Sequence, residues 1–99
     1  MVTPKPYTDR KVNDETFVRV FNNDINESEL VWHRDKKDRV VRVIEGQEWQ
    51  LQYEDKLPFK MQVSESYHIP KEMYHRVIAG TGQLVLEITE SGDNNDNRK

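Results

Sequence analysis

Trp49-Gln50-Leu51-Gln52-Tyr53 decides the fold class, because large apolar and polar side chains alternate along it with a period of two. This alternation is typical of a β-strand with one buried face and one face in solvent. The same period recurs in residues 59–63 and 84–88, and turn-forming residues such as Asp55-Lys56 separate these segments. The pattern predicts an all-β fold of about eight short antiparallel strands, in a small barrel or double-sheet jelly roll.

The composition limits the size and partners of this fold. The chain has 99 residues, of which 34% are hydrophobic and 33% are charged, so we expect one domain with a small core. The formal net charge of -3 is scattered along the chain, which predicts no nucleic-acid partner. The absence of cysteine excludes disulfides and thiolate metal sites. We find no signal-peptide core or membrane-spanning run, and we therefore expect a cytoplasmic protein without a membrane partner.

The two ends of the chain differ from its middle. Residues 1–15 are polar and contain two prolines, Pro4 and Pro6, so we predict an extended N-terminal arm, docked at a sheet edge. Residues 91–99 contain no apolar side chain, which predicts a disordered tail. The barrel itself is expected to span residues 16–90.

Three side chains are candidate metal ligands: His33, Asp35 and His75. His33 and Asp35 stand two residues apart in a predicted strand over residues 29–35, so their side chains point to the same face. The simpler interpretation is that His33 and Asp35 are a polar pair on the rim of the fold, hydrogen-bonded to each other or to water. Another imidazole, from His75, would complete the two-histidine, one-carboxylate set that non-haem iron and related divalent metals favour.

The spacing around His33 resembles the first motif of the cupin family. The pattern His33-x-Asp35-x3-Arg39-x6-Gly46 is similar to that motif, in which two histidines, a glutamate and a glycine occupy the same places. Asp35 therefore stands where the second histidine is usual, and Arg39 stands where the glutamate is usual.

The spacing before His75 resembles the second cupin motif. The pattern Ser64-x5-Pro70-x4-His75 is similar to a motif of a glycine, a proline and a histidine, so Ser64 replaces the glycine. The resemblance covers roughly residues 30–88 and is to small single-domain cupins, including cupin-like proteins of phages. It implies an antiparallel double-stranded β-helix, a jelly-roll barrel with a divalent metal at its open end. It also implies a homodimer, because cupins are often dimeric.

Carried over residue by residue, the resemblance leaves His33, Asp35 and His75 as the metal ligands, and Arg39 cannot be a ligand. The resulting set is similar to that of the iron- and 2-oxoglutarate-dependent oxygenases, which share the barrel. It implies Fe(II) as the preferred metal, with Zn, Mn or Ni as alternatives.

The role of Arg39 has two interpretations. Its guanidinium would clamp the acidic group of a substrate beside the metal, or it would form an ion pair with Asp35 and compete with the metal. Tyr53 and Tyr67 are the other candidate substrate-binding residues, because their hydroxyl groups require polar partners inside an apolar barrel.

Two functions follow from these residues. The first is a metal-dependent enzyme, an oxygenase or isomerase that acts on a small acidic molecule. The alternative is a non-catalytic module of cupin fold that binds a small ligand or serves as a dimeric interaction domain.

Overall fold

A computed structural model of the chain describes residues 7–22 and 31–91. Within these two ranges the backbone forms eight strands and no helix. The strands are β1 (Tyr7–Lys11), β2 (Thr16–Phe21), β3 (Asp38–Gln47), β4 (Gln50–Tyr53), β5 (Phe59–Lys60), β6 (Ser66–Ile69), β7 (His75–Ile78) and β8 (Thr81–Ser91). Neither range contains a helix that is long and apolar enough to cross a membrane.

The strands form two antiparallel sheets, one in the order β1-β2-β8-β3-β6 and the other in the order β5-β4-β7. The predicted all-β, antiparallel architecture is therefore confirmed, but the sheets are not closed into a barrel. The pairing of β3 with β8 shifts register between Val43 and Glu45 and again between Glu45 and Gln47. Such bulges bend a strand out of its ladder, and the chain then enters β4 in the smaller sheet.

The hydrophobic core receives side chains from both sheets, and the alternation predicted from the sequence is visible in its strands. On β3, Val41 and Val43 are buried whereas Arg42 and Ile44 are exposed. The buried apolar side chains form one cluster: Phe21, Val41, Val43, Trp49, Leu51, Met61, Ile69, Leu84, Leu86 and Ile88. Burial of each large member contributes about 1.5–3 kcal/mol to stability.

Strand β1 lies within the predicted N-terminal arm and pairs with β2 at one edge of the larger sheet. At the other end of the chain, β8 continues through Ser91, which pairs with Asp38. Residues 1–6 and 92–99 lie outside the described residues. The limits of the arm, the domain and the tail therefore stay predictions.

Ser64, which stands in the place of the cupin glycine, has the backbone conformation that glycine favours. Its φ angle is 77°, in the left-handed region. Its backbone N–H donates a 2.8 Å hydrogen bond to the carbonyl of Val43, and its side chain is exposed. For a residue with a Cβ atom, this conformation costs about 1–2 kcal/mol. The turn before β6 therefore keeps the shape of the motif without its usual residue.

We predict that Ser64→Gly raises the free energy of unfolding by roughly 0.5–1 kcal/mol, because relief of the left-handed strain exceeds the added entropy of the unfolded chain. Ser64→Ala is the matched control and should stay within about 0.5 kcal/mol of the wild type. Urea unfolding of the three proteins gives the comparison. A less stable glycine variant would contradict the argument.

Candidate metal centre

The two histidines are held opposite each other by their own backbones. The N–H of His33 donates to the carbonyl of His75 at 3.0 Å, and the N–H of His75 donates to the carbonyl of His33 at 2.9 Å. This antiparallel bridge lies at the start of β7 and places the two ring centroids 4.3 Å apart. Of the strand predicted over residues 29–35, the described part (residues 31–35) has only this one bridge.

Both imidazole rings are oriented by a backbone carbonyl two residues earlier in the chain. Nδ1 of His33 lies 3.0 Å from the carbonyl oxygen of Val31, and Nδ1 of His75 lies 2.9 Å from that of Met73. A carbonyl oxygen only accepts hydrogen bonds, so each Nδ1 carries the hydrogen. Each neutral ring then keeps its lone pair on Nε2. Fixing the tautomer in this way is usual for metal-ligating histidines.

Asp35 presents a carboxylate oxygen to this pair of rings. Its Oδ2 lies 3.3 Å from Nε2 of His75 and is buried without a hydrogen-bond partner among the described residues. When His75 is neutral, two lone pairs face each other at this distance and require a proton or a metal ion between them. Two ligands about 2.1 Å from one ion are about 3.0 Å apart in octahedral and about 3.4 Å apart in tetrahedral geometry.

The three candidate ligands converge on one region. One ligand atom from each of His33, Asp35 and His75 lies within 4.8 Å of the other two. Two imidazoles and one carboxylate are donors that first-row divalent metals accept. The three side chains that the sequence predicts as metal ligands therefore lie close together in the structure.

The turn that leads into His75 is attached to the segment that carries Asp35. The N–H of Glu72 donates a 2.7 Å hydrogen bond to the carbonyl of Asp35, and the N–H of Lys71 donates to the side chain of Asp38 at 2.9 Å. The turn begins at Pro70, whose carbonyl accepts a hydrogen bond from the N–H of Met73. The spacing from proline to histidine therefore sets where β7 begins relative to Asp35.

Arg39 contacts two carboxylates. Its Nη1 lies 3.2 Å from Oδ2 of Asp35, while its Nε and Nη2 lie 2.9 and 2.7 Å from Oε2 of Glu90. Arg39 and Glu90 are direct partners in the register of β3 and β8. The ion pair with Asp35 is thus present, and the same side chain also lines the cavity beside the site. Glu90 cannot be identified from the sequence, because only the strand register places it beside Arg39.

The pKa values of two ligands shift toward the forms that bind metal. Burial lowers the pKa of His33, so the neutral imidazole is favoured. Burial opposes the charge on Asp35, but a hydrogen bond from His75, which requires a proton on its Nε2, and the guanidinium of Arg39 outweigh it, and the pKa of Asp35 is lowered. Both directions keep the ligands deprotonated.

A cavity of about 250 Å³ is lined by two of the three candidate ligands, His33 and His75. The polar side chains of its described lining are those of Tyr7, Arg19, His33, Arg39 and His75, and the rest of that lining is apolar or aromatic. The apolar part includes Phe21, Val41, Leu51, Met61, Val77 and Leu86. A small ligand can therefore reach the metal ligands from an apolar compartment.

Tyr53 and Tyr67 lie elsewhere and are not among the described residues that line this cavity. The hydroxyl of Tyr53 donates to the carbonyl of His68 at 2.7 Å, and that of Tyr67 accepts from the N–H of Gln62 at 2.9 Å. Both rings pack against Phe59. Their assignment as substrate-binding residues stays a prediction.

No family model and no curated protein matches the sequence. Solved structures do match the fold. A cupin-2 domain containing protein from Shewanella frigidimarina is 25% identical with a TM-score of 0.64, over 91% of this chain and 85% of that one. A cupin domain from Bordetella pertussis is 20% identical with a TM-score of 0.60, over 92% of this chain and 100% of that one.

An iron(II) form of HppE is also similar, with 17% identity and a TM-score of 0.63 over 77% of this chain. The match covers 41% of the HppE chain, so this chain spans about two fifths of that protein. The structures found give no support to the phage resemblance. The chain resembles the cupins in its fold, as the sequence predicts, and His33, Asp35 and His75 form a candidate divalent-metal site within it.

Proposed function

We propose that this protein binds a divalent metal through His33, Asp35 and His75 and uses it to act on a small acidic molecule. The observation that carries the proposal is the 3.3 Å approach of the His75 Nε2 lone pair to Oδ2 of Asp35. Both atoms are acceptors in the neutral tautomer, and a shared metal ion removes their repulsion. Three protein ligands leave positions open for a substrate or dioxygen.

Fe(II) is the preferred metal, with Zn, Mn or Ni as alternatives. Two histidines and one carboxylate form the ligand set of non-haem iron enzymes, and HppE, a structural neighbour, is described with iron(II). When bound, the metal would supply Lewis-acid or redox chemistry, and the reaction would be an oxygenation or an isomerisation. The protein's own residues fix the ring tautomers and hold the carboxylate ionised.

Arg39 would bind the acidic group of the substrate. Its guanidinium lines the cavity and carries N–H groups beyond those directed at Glu90 and Asp35. A guanidinium beside a metal is well suited to a carboxylate or phosphonate, because it offers paired donors in one plane.

A non-catalytic role is the second candidate. Apart from the ligands, the described lining of the cavity has only Arg19 and Arg39 as charged groups, and neither serves as a general acid or base near neutral pH. The same site would then store or sense a small ligand. Trp32 and Tyr74, 41% and 42% exposed, are available to a second subunit. Homodimerisation and cytoplasmic residence stay predictions from the sequence.

Metal content tests the ligand set directly. We expect wild-type protein without a histidine tag to keep about one metal ion per chain after dialysis. His33→Ala, Asp35→Ala and His75→Ala should each lose at least ~10-fold in affinity, because each removes one of three ligands. His68→Ala is the matched control, since its side chain is exposed and 3.9 Å from the nearest carboxylate oxygen, that of Asp38. Equal, substoichiometric metal in all five proteins would exclude the three-ligand site.

Metal affinity should depend on pH in a defined direction. A histidine must lose its proton to bind metal, and the ordinary pKa of histidine is about 6.5. Because the pKa of His33 is lowered, its neutral form persists below that value. We therefore expect cobalt affinity to change little from pH 8 to pH 7 and to fall steeply only below about pH 6.5. Titrations at several pH values measure this, and a steep loss already above pH 7 would contradict it.

Arg39 should affect anion binding and metal binding in opposite ways. We expect Arg39→Gln to weaken binding of propionate to the cobalt-loaded protein about 10-fold, because one charge-assisted contact is lost. The same change should strengthen cobalt binding, since a cation beside Asp35 is removed. The double variant Arg39→Gln/Glu90→Gln should show the same changes in propionate and cobalt affinity as Arg39→Gln. It does not leave the carboxylate of Glu90 without its partner.

Arg42→Gln is the matched control for this experiment. Arg42 lies on the same strand as Arg39 but points outward, and its side chain is 51% exposed. Arg42→Gln should leave the affinities for propionate and for cobalt at the wild-type level. Unchanged propionate affinity in Arg39→Gln would assign Arg39 to a purely structural pairing with Glu90.

A further inference from the structure

The charged groups that line the cavity, together with their ion-pair partners, have a defined net charge. Arg19 is bound by both oxygens of Asp9, at 2.8 and 2.9 Å. Arg39 contacts Glu90 and Asp35. Two guanidinium groups and three carboxylates give one net negative charge, and a bound divalent ion changes it to one net positive charge. One further anionic group therefore neutralises the metal-loaded site.

His33, His75 and Arg39 lie close together around Asp35 and form the polar end of the cavity, whereas Arg19 lies in register with Leu86 on β8. On β3 the inward side chain after Arg39 is Val41, and on β7 the one after His75 is Val77. Val41 pairs with Ile88 of β8, which also lines the cavity. On each strand, the inward residue that follows Arg39 or His75 is therefore an apolar side chain of the cavity wall.

The cavity has room for a short chain beyond the polar end. Its volume is about 250 Å³. An apolar cavity of about 150 Å³ accommodates benzene, which has six carbon atoms. By that scale the space fits roughly ten non-hydrogen atoms. Apolar walls offer no hydrogen bonds to a second polar group placed among them.

We propose that the ligand is a monoanion with a short aliphatic tail, namely a straight-chain monocarboxylate of up to about eight carbons. Its carboxylate would lie at the metal and Arg39, and its tail would fill the space along Val41, Val77 and Ile88. The proposal rests on the metal site of the proposed function. A dicarboxylate is disfavoured, because its two charges would change the one net positive charge of the metal-loaded site into one net negative charge. An alkylamine is disfavoured by the positive charge of the loaded site.

Titration of the full, cobalt-loaded chain with a carboxylate series tests the proposal. The visible spectrum of cobalt and the heat of binding provide two readouts that need no turnover. We expect affinity to rise from acetate through butanoate and hexanoate to octanoate, by up to about fourfold per methylene group. Dodecanoate should bind less tightly than octanoate. Adipate should bind at least ~10-fold more weakly than hexanoate, since its second carboxylate makes the loaded site net negative and loses its hydration among apolar walls.

The results of this titration distinguish failure of the proposed aliphatic ligand from failure of the proposed metal site. Affinity that does not depend on chain length, or adipate that binds as tightly as hexanoate, would overturn the aliphatic ligand while leaving a cobalt site intact. Absence of stoichiometric cobalt, or a cobalt spectrum unchanged in His75→Ala, would overturn both proposals together.

A matched pair of variants locates the tail. Val41→Phe fills the cavity, whereas Val40→Phe places the same ring on the opposite, 43% exposed face of β3. We expect Val41→Phe to weaken octanoate at least ~10-fold with little effect on acetate. Val40→Phe should match the wild type. Val77→Phe narrows the same space from β7, and it replaces Val41→Phe in the experiment if that variant does not fold. Octanoate affinity unchanged in both cavity variants would refute the proposed position.

Discussion

The pair of reciprocal hydrogen bonds between the backbones of His33 and His75 is the constraint on which the site depends. It fixes the distance between two segments that are far apart in sequence and aligns their side chains on one face. Each ring is then held by a carbonyl two residues earlier, so the lone pairs are set by backbone geometry. Little side-chain entropy remains to be lost when an ion binds, and preorganised ligands bind more tightly for that reason.

Asp35, Arg39 and Glu90 form a second, electrostatic layer. The guanidinium bridges the two carboxylates, and its stronger contacts are to Glu90 at 2.7 and 2.9 Å. Arg39 is therefore anchored by Glu90 and reaches Asp35 with its remaining terminal nitrogen. This arrangement keeps Asp35 ionised without occupying it by a well-formed hydrogen bond. The cation that stands in the place of the usual glutamate ligand thus lies beside the candidate metal site, where its charge would favour the anionic ligands proposed above.

Ser64 and Gly46 show how a motif position can be kept for different physical reasons. Ser64 adopts the left-handed backbone that the turn before β6 requires, even though it is not glycine. At Gly46, a Cβ atom would lie 2.7 Å from Cδ1 of the buried Leu84, so a side chain there would require Leu84 to shift. Spacing alone therefore identifies such positions, whereas the structure shows what a side chain at each of them contacts.

The sequence by itself predicted the alternating strands and their buried faces, because period-two alternation is a local property, and it named His33, Asp35 and His75 through the spacing of two cupin-like motifs. It could not determine that the sheets remain open, since closure depends on the bulges that move the chain from β3 to β4. It also could not identify Glu90 as the partner of Arg39, nor separate Tyr53 and Tyr67 from the cavity. Those features depend on register and packing between strands distant in sequence, and only the tertiary structure decided them.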